Sequence, residues 1–153
     1  MSAPAELGFP NGPFDVVSVM EQLSRERPVF HSEADFQHAL AWRLHQMWPQ
    51  AKVRLEFCVA QVDRRCYLDI WAEVEAQSVA IELKYKTRAT SAMHAAERFD
   101  LASHGAQDLG RYDFLKDIVR LETVCAAVPG TIGLALILSN DSAYWKPALA
   151  GSV

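Results

Sequence analysis

Asp69, Glu82 and Lys84 are the residues of this chain whose types and spacing point most directly to chemistry. Asp69 lies in Cys66-Tyr67-Leu68-Asp69-Ile70-Trp71. Glu82 and Lys84 lie thirteen and fifteen residues on, in Ala80-Ile81-Glu82-Leu83-Lys84-Tyr85. Apolar, β-favouring residues flank each charge, so both runs read as strands. Ionised groups on buried strands are costly, which makes three of them together informative. If the two strands pair, the three side chains converge on one face. Two carboxylates held together attract a divalent cation, and a lysine beside them attracts an anion or polarises a water. Metal-assisted hydrolysis of a phosphodiester requires that set of groups.

The surrounding elements must hold these residues in place. Asp15 to Glu26 carries Val16, Val19, Met20 and Leu23 at helical spacing, with Pro28 just beyond. Ser32 is a good helix N-cap, followed by Glu33 and Asp35 in the first turn and the stripe Phe36, Ala39, Leu40, Leu44, Met47, which Pro49 ends. Val53, Leu55, Phe57 and Val59 alternate with polar residues, which predicts a strand with one wet face. Turns at Val62–Arg65 and Glu73–Gln77 then link three strands into an antiparallel meander. Thr87 to His104 reads as a short helix or a loop. Gly105 to Cys125, with Leu109, Phe114, Ile118, Leu121 and Val124 in phase, predicts a helix that Pro129-Gly130 ends. Thr131 to Leu138 predicts a fourth strand buried on both faces. The order is an α/β sandwich around one mixed sheet.

The 153 residues suffice for one domain with a real core, expected over 1–153 with a loose arm at 1–14 and a tail at 146–153. Half of the chain is apolar, so it should fold rather than stay disordered. Cys58, Cys66 and Cys125 have no finger spacing, which fits inert thiols in a reducing cytoplasm. Residues 1–14 lack the pattern of a signal peptide, and no apolar run is long enough to span a membrane. A net charge of −4 argues against a protein coated in basic surface. Lys52 to Arg88 is nearly neutral, with seven basic and six acidic residues, which leaves room for a local basic groove. The five histidines show no metal-ligand spacing.

An acid on the second strand of a meander and Glu-x-Lys on the third, in the element order αβββαβ, resembles the PD-(D/E)XK, or restriction-endonuclease-like, superfamily. The resemblance covers about Ser32 to Leu138. Leu68 stands where the family motif has proline. The resemblance implies a restriction-endonuclease-like core, a central mixed sheet flanked by helices, and a Mg²⁺- or Mn²⁺-dependent nuclease acting on DNA. It implies that Asp69, Glu82 and the Leu83 backbone carbonyl hold the metal, with Glu33 beside them. It implies that Lys84 assists the attacking water. Gln37, one turn after Glu33, joins the site on the same helix face. Gln107 is the expected polar residue of the later helix. Lys86, Arg88 and Arg111 are candidate nucleic-acid contacts. A homodimer would let two sites address two strands. The alternative is a nuclease-fold protein that no longer cuts and acts as a nucleic-acid-binding or assembly subunit.

Overall fold

The structure is a computed structural model that describes residues 14–146. The expected arm and tail otherwise lie outside the described residues. Phe14, assigned to the arm, is buried and meets Trp48 edge-on at 5.2 Å.

Two helices begin where their caps sit. The Asp15 carboxylate accepts the Ser18 N–H at 3.0 Å and opens α1, Val16–Glu26. The Ser32 hydroxyl accepts the Asp35 N–H at 3.1 Å and opens α2, Glu33–Met47. Each satisfies a donor that the first helical turn leaves free. Strands β1 (Lys52–Cys58), β2 (Tyr67–Val74) and β3 (Gln77–Lys86) form the expected antiparallel meander. Helix α3, Gln107–Ala127, crosses back to β6, Thr131–Ser139, which lies parallel to β3. The sheet order is β1-β2-β3-β6. The protein is therefore a mixed α/β fold with a mixed central sheet.

Thr87 to His104 is neither helix nor loop. It forms a hairpin of β4 (Thr90–His94) and β5 (Glu97–Leu101). Its turn places Ala95 and Ala96 at φ 49° and 65°. The left-handed turn is the geometry that two-residue hairpins need, here without the usual glycine or asparagine. The hairpin buries Phe99 and Leu101 in the main core.

Strand β6 is not buried on both faces. It is the end of the sheet, its residues are half-buried, and Ile137 is exposed. A run of apolar residues suggested an interior strand, but only the β3 side is paired among the described residues. Gly133 lets α3 come close: a Cβ there would stand 2.9 Å from Leu121 Cβ.

The two faces of the sheet differ. Ile70, Ala72, Val79, Ile81, Leu83 and Tyr85 join α1, α2 and the hairpin in the larger core. Trp71 and Ala80 join Leu121 and Val124 of α3 in a smaller one. Alternation along β3 therefore sends Glu82 and Lys84 to the α3 side. Cys66 is buried, and burial pushes its thiol up, as expected of an inert core thiol. Cys58 is only half-buried.

Candidate active site

The sheet opens around Asp69. The β1–β2 ladder pairs Leu55 with Ile70 and Phe57 with Leu68, but skips Glu56 and Asp69. Glu56 has φ 48°, a left-handed conformation that takes it out of the strand. The β2–β3 ladder ends at Ile70–Ile81, while β3 runs on to Lys86 beside β6 alone. The N–H groups of Leu83 and Tyr85 thus lose their strand partner. A buried backbone donor needs a substitute.

Acids supply the substitutes. Asp69 Oδ2 accepts the Leu83 N–H at 2.6 Å. Glu33 Oε2, reaching over from α2, accepts the Tyr85 N–H at 2.8 Å. Gln37 fills the other gap: its Nε2 donates to the Asp69 carbonyl at 2.7 Å and to Glu56 Oε1 at 2.9 Å. Glu33 and Gln37 are thus clamps on the backbone of the two site strands. Gln37, Asp69 and Leu83 are linked by hydrogen bonds, Leu83 through its N–H, and Glu33 binds the next free donor at Tyr85. Glu33 spends one carboxylate oxygen on the strand.

Across from this clamp, α3 brings two residues that the sequence reading missed. Arg120 donates to Glu82 Oε1 at 2.7 Å. Asp117 Oδ2 stands 2.7 Å from Lys84 Nζ, an ion pair. Lys84 Nζ also donates to the Leu83 carbonyl at 3.1 Å. The acid that Lys84 meets is thus Asp117 of α3. The clue was available, since Asp117 is in phase with the buried Leu121 and Val124, four and seven residues on.

Glu82 is 2% exposed. Burial pushes its carboxyl up to about 7; Arg120 pulls against that, and Asp69 and Asp117 add to it. Lys84 moves upward as well. Burial alone would lower it, but the Asp117 carboxylate outweighs burial, with Glu33 and Asp69 adding to the effect. The cluster therefore joins four acids, Glu33, Asp69, Glu82 and Asp117, to two bases, Lys84 and Arg120.

Gln107 and Arg111 are elsewhere. Gln107 Nε2 donates to Asp141 Oδ2 at 3.0 Å, and Arg111 donates to the Ala143 carbonyl, so both tie α3 to the turn at Ser142–Tyr144. Gln107 is ten residues before Asp117, about 15 Å along the helix. Lys86 is half-buried and close enough to Asp113 to lower its carboxyl, after the larger effect of Lys116. Arg88 is exposed, its backbone held by Asn140.

A cleft of about 350 Å³ opens beside the cluster, lined by Glu33, Lys86, Thr87, Asp100 and His104 among others. The larger cleft, about 520 Å³ between α2 and β1, is lined by His38, Trp42, His45 and Arg54 and holds none of the candidates.

No three His, Cys, Asp or Glu side chains among the described residues form a ready-made metal-binding group. The donor chemistry nonetheless suits a hard cation. Asp69 on β2 and Glu82 on the neighbouring β3 each offer carboxylate oxygen. The upward shift of Glu82 shows that Arg120 does not fully offset its burial. No helix among the described residues is long and apolar enough to cross a membrane. No protein-family model, no curated protein and no solved structure matches the chain.

Proposed function

We propose that this chain is a Mg²⁺-dependent nuclease acting on DNA, built on a restriction-endonuclease-like core. The observation that supports the reading best is that Asp69 and Glu82 lie on neighbouring strands where the meander splays, with Lys84 beside Glu82 on the α3 side of β3. The element order αβββαβ from Glu33 to Ser139, interrupted only by the hairpin, supports it further.

Asp69 and Glu82 would hold the ion, with the Leu83 carbonyl as a third oxygen. A bound magnesium ion supplies Lewis acidity at the phosphate and a more acidic water. The remaining work falls to the chain. The Leu83 N–H fixes the Asp69 carboxylate, leaving its second oxygen free. Gln37 fixes the Asp69 backbone. Lys84, held by Asp117, places a positive charge where negative charge develops on the phosphate. Arg120, which holds Glu82 at 2.7 Å, would be a second cation available to a phosphate oxygen if Glu82 served the ion. Lys86 and Arg88, beyond Lys84 on the chain, extend the positive charge along the expected path of the DNA.

The test is cleavage of mixed single- and double-stranded DNA with Mg²⁺ by wild type and Lys84→Ala. Cleavage by wild type that falls by at least about 100-fold in the variant supports the reading. Equal cleavage by both proteins refutes the role of Lys84.

A second reading rests on the same ion pairs. Arg120 and Lys84 already neutralise Glu82 and Asp117, as in a nuclease-fold protein that binds nucleic acid without cutting it. Under that reading wild type binds DNA, and neither protein cleaves it.

A further inference from the structure

Asp69 is the one residue of β2 that belongs to neither ladder. From Tyr67 to Val74, every other residue pairs with β1, with β3 or with both. Its place is therefore set by two bonds of another kind: the Leu83 N–H on its carboxylate and the Gln37 amide on its carbonyl. The second of these leads back to Glu56.

Gln37 holds the Asp69 carbonyl with half of its amide. One N–H of Nε2 goes to that carbonyl at 2.7 Å, and the other goes to Glu56 Oε1 at 2.9 Å. An amide nitrogen carries two hydrogens, so both are engaged. The bond to the carboxylate is the stronger of the two and fixes the direction of the other. Gln37 is 9% exposed, which leaves little water to replace Glu56.

Glu56 stands opposite Asp69, at the matching gap in β1. Its φ of 48° is a conformation that glycine adopts freely and a long side chain adopts only with strain. Glycine would meet a purely backbone need with less strain. The chain instead carries a carboxylate there, and that carboxylate holds Gln37.

We infer that Glu56 is a positioning residue: through the Gln37 amide it fixes the backbone of Asp69 and so aims the Asp69 carboxylate. This role does not depend on the proposed activity. One consequence rests on that reading: if Asp69 holds a metal ion, Glu56 tunes the ion's affinity from behind Gln37.

Proton–nitrogen NMR of the full chain in metal-free buffer tests the inference. The Leu83 amide reports the Asp69 carboxylate, since the two are 2.6 Å apart. A short bond to a carboxylate moves an amide proton downfield. In Glu56→Ala and in Gln37→Leu that resonance should shift upfield. The double variant should shift it hardly further, because the two residues act in series. Glu56→Gln keeps an acceptor oxygen and should keep the wild-type resonance. Glu56→Gly separates positioning from backbone strain. It should melt at a higher temperature than Glu56→Ala, because alanine is strained at this φ, yet shift the Leu83 amide equally. A Leu83 resonance unchanged in both variants overturns the inference. A shift in Glu56→Ala that Glu56→Gly lacks assigns the effect to strain and overturns it too, as does a shift in Glu56→Gln as large as in Glu56→Ala. Mn²⁺ affinity should fall at least about 10-fold in Glu56→Gly. Full affinity in that variant overturns the role of Glu56 in the metal site. Wild type that binds no Mn²⁺ refutes the metal reading alone, and the amide shift still decides the role of Glu56.

Discussion

The two faces of the central sheet are made by the same strands and do opposite things. Toward α1 and α2, Ile70, Ile81 and Leu83 are buried in a continuous apolar core. Toward α3, their neighbours Glu82 and Lys84 meet Arg120 and Asp117, while Asp69 binds the Leu83 N–H at the seam of the two strands. Apolar packing on the first face stabilises the fold through area removed from water. The second face spends stability, because burying charges costs more than their attraction usually returns. A sheet can carry this burden when one face alone supplies enough core. The contrast teaches that the charged face is held in place by the apolar one and is free to do something else.

The contrast can be broken most forcefully at Lys84. Lys84→Met leaves the buried Asp117 with only the more distant Arg120, 3.7 Å away, and should cost about 3 kcal/mol, measured by urea unfolding at pH 7. The double variant Lys84→Met with Asp117→Leu should recover most of that loss. Full stability in the single variant would mean that the pair is not buried as described. On the apolar face, Ile81→Ala should also cost about 3 kcal/mol, through lost contacts and a residual cavity. It differs in kind: its loss should not depend on pH, and no second change at Asp117 should repair it.

Glu82 sharpens the comparison by titration. Its carboxyl rises from an ordinary 4.5 to about 7 in the folded protein. Between those values the folded state holds a proton that the unfolded state has released. Stability therefore falls as pH rises from about 4.5 to about 7, and is flat above. At about 1.4 kcal/mol per pH unit, the full effect is about 3 kcal/mol at most. Glu82→Gln should remove the slope. A wild-type protein whose stability rises over that range would contradict the burial of Glu82. At the small end, Arg98→Ala breaks an exposed pair with Asp100 on the hairpin and should leave the melting temperature unchanged within error.

Much of this arrangement was legible in the sequence, for physical reasons that can be named. Ser32 announces α2 because a helix end needs an acceptor. The three meander strands follow from alternation, and so does the shared face of Glu82 and Lys84. The hairpin at 90–101 was not legible, because Ala95 and Ala96 turn the chain without glycine or asparagine. The edge position of β6 was hidden because an apolar run looks the same at the centre of a sheet and at its end. Asp117 and Arg120 were missed because charges on a long helix usually face water. Gln107 and Arg111 have plausible side chains for the site, but the helix carries them about three and two turns from Asp117, against Asp141 and Ala143.

The central claim is that Asp69 and Glu82 together hold a hard divalent cation. Calorimetric titration of Mn²⁺ into wild type, Asp69→Asn and Glu82→Ala, at pH 8 with DNA present, tests it most directly. The account predicts binding by wild type that is lost in both variants while their folds persist. Equal binding by all three proteins, or no binding by wild type, would contradict it.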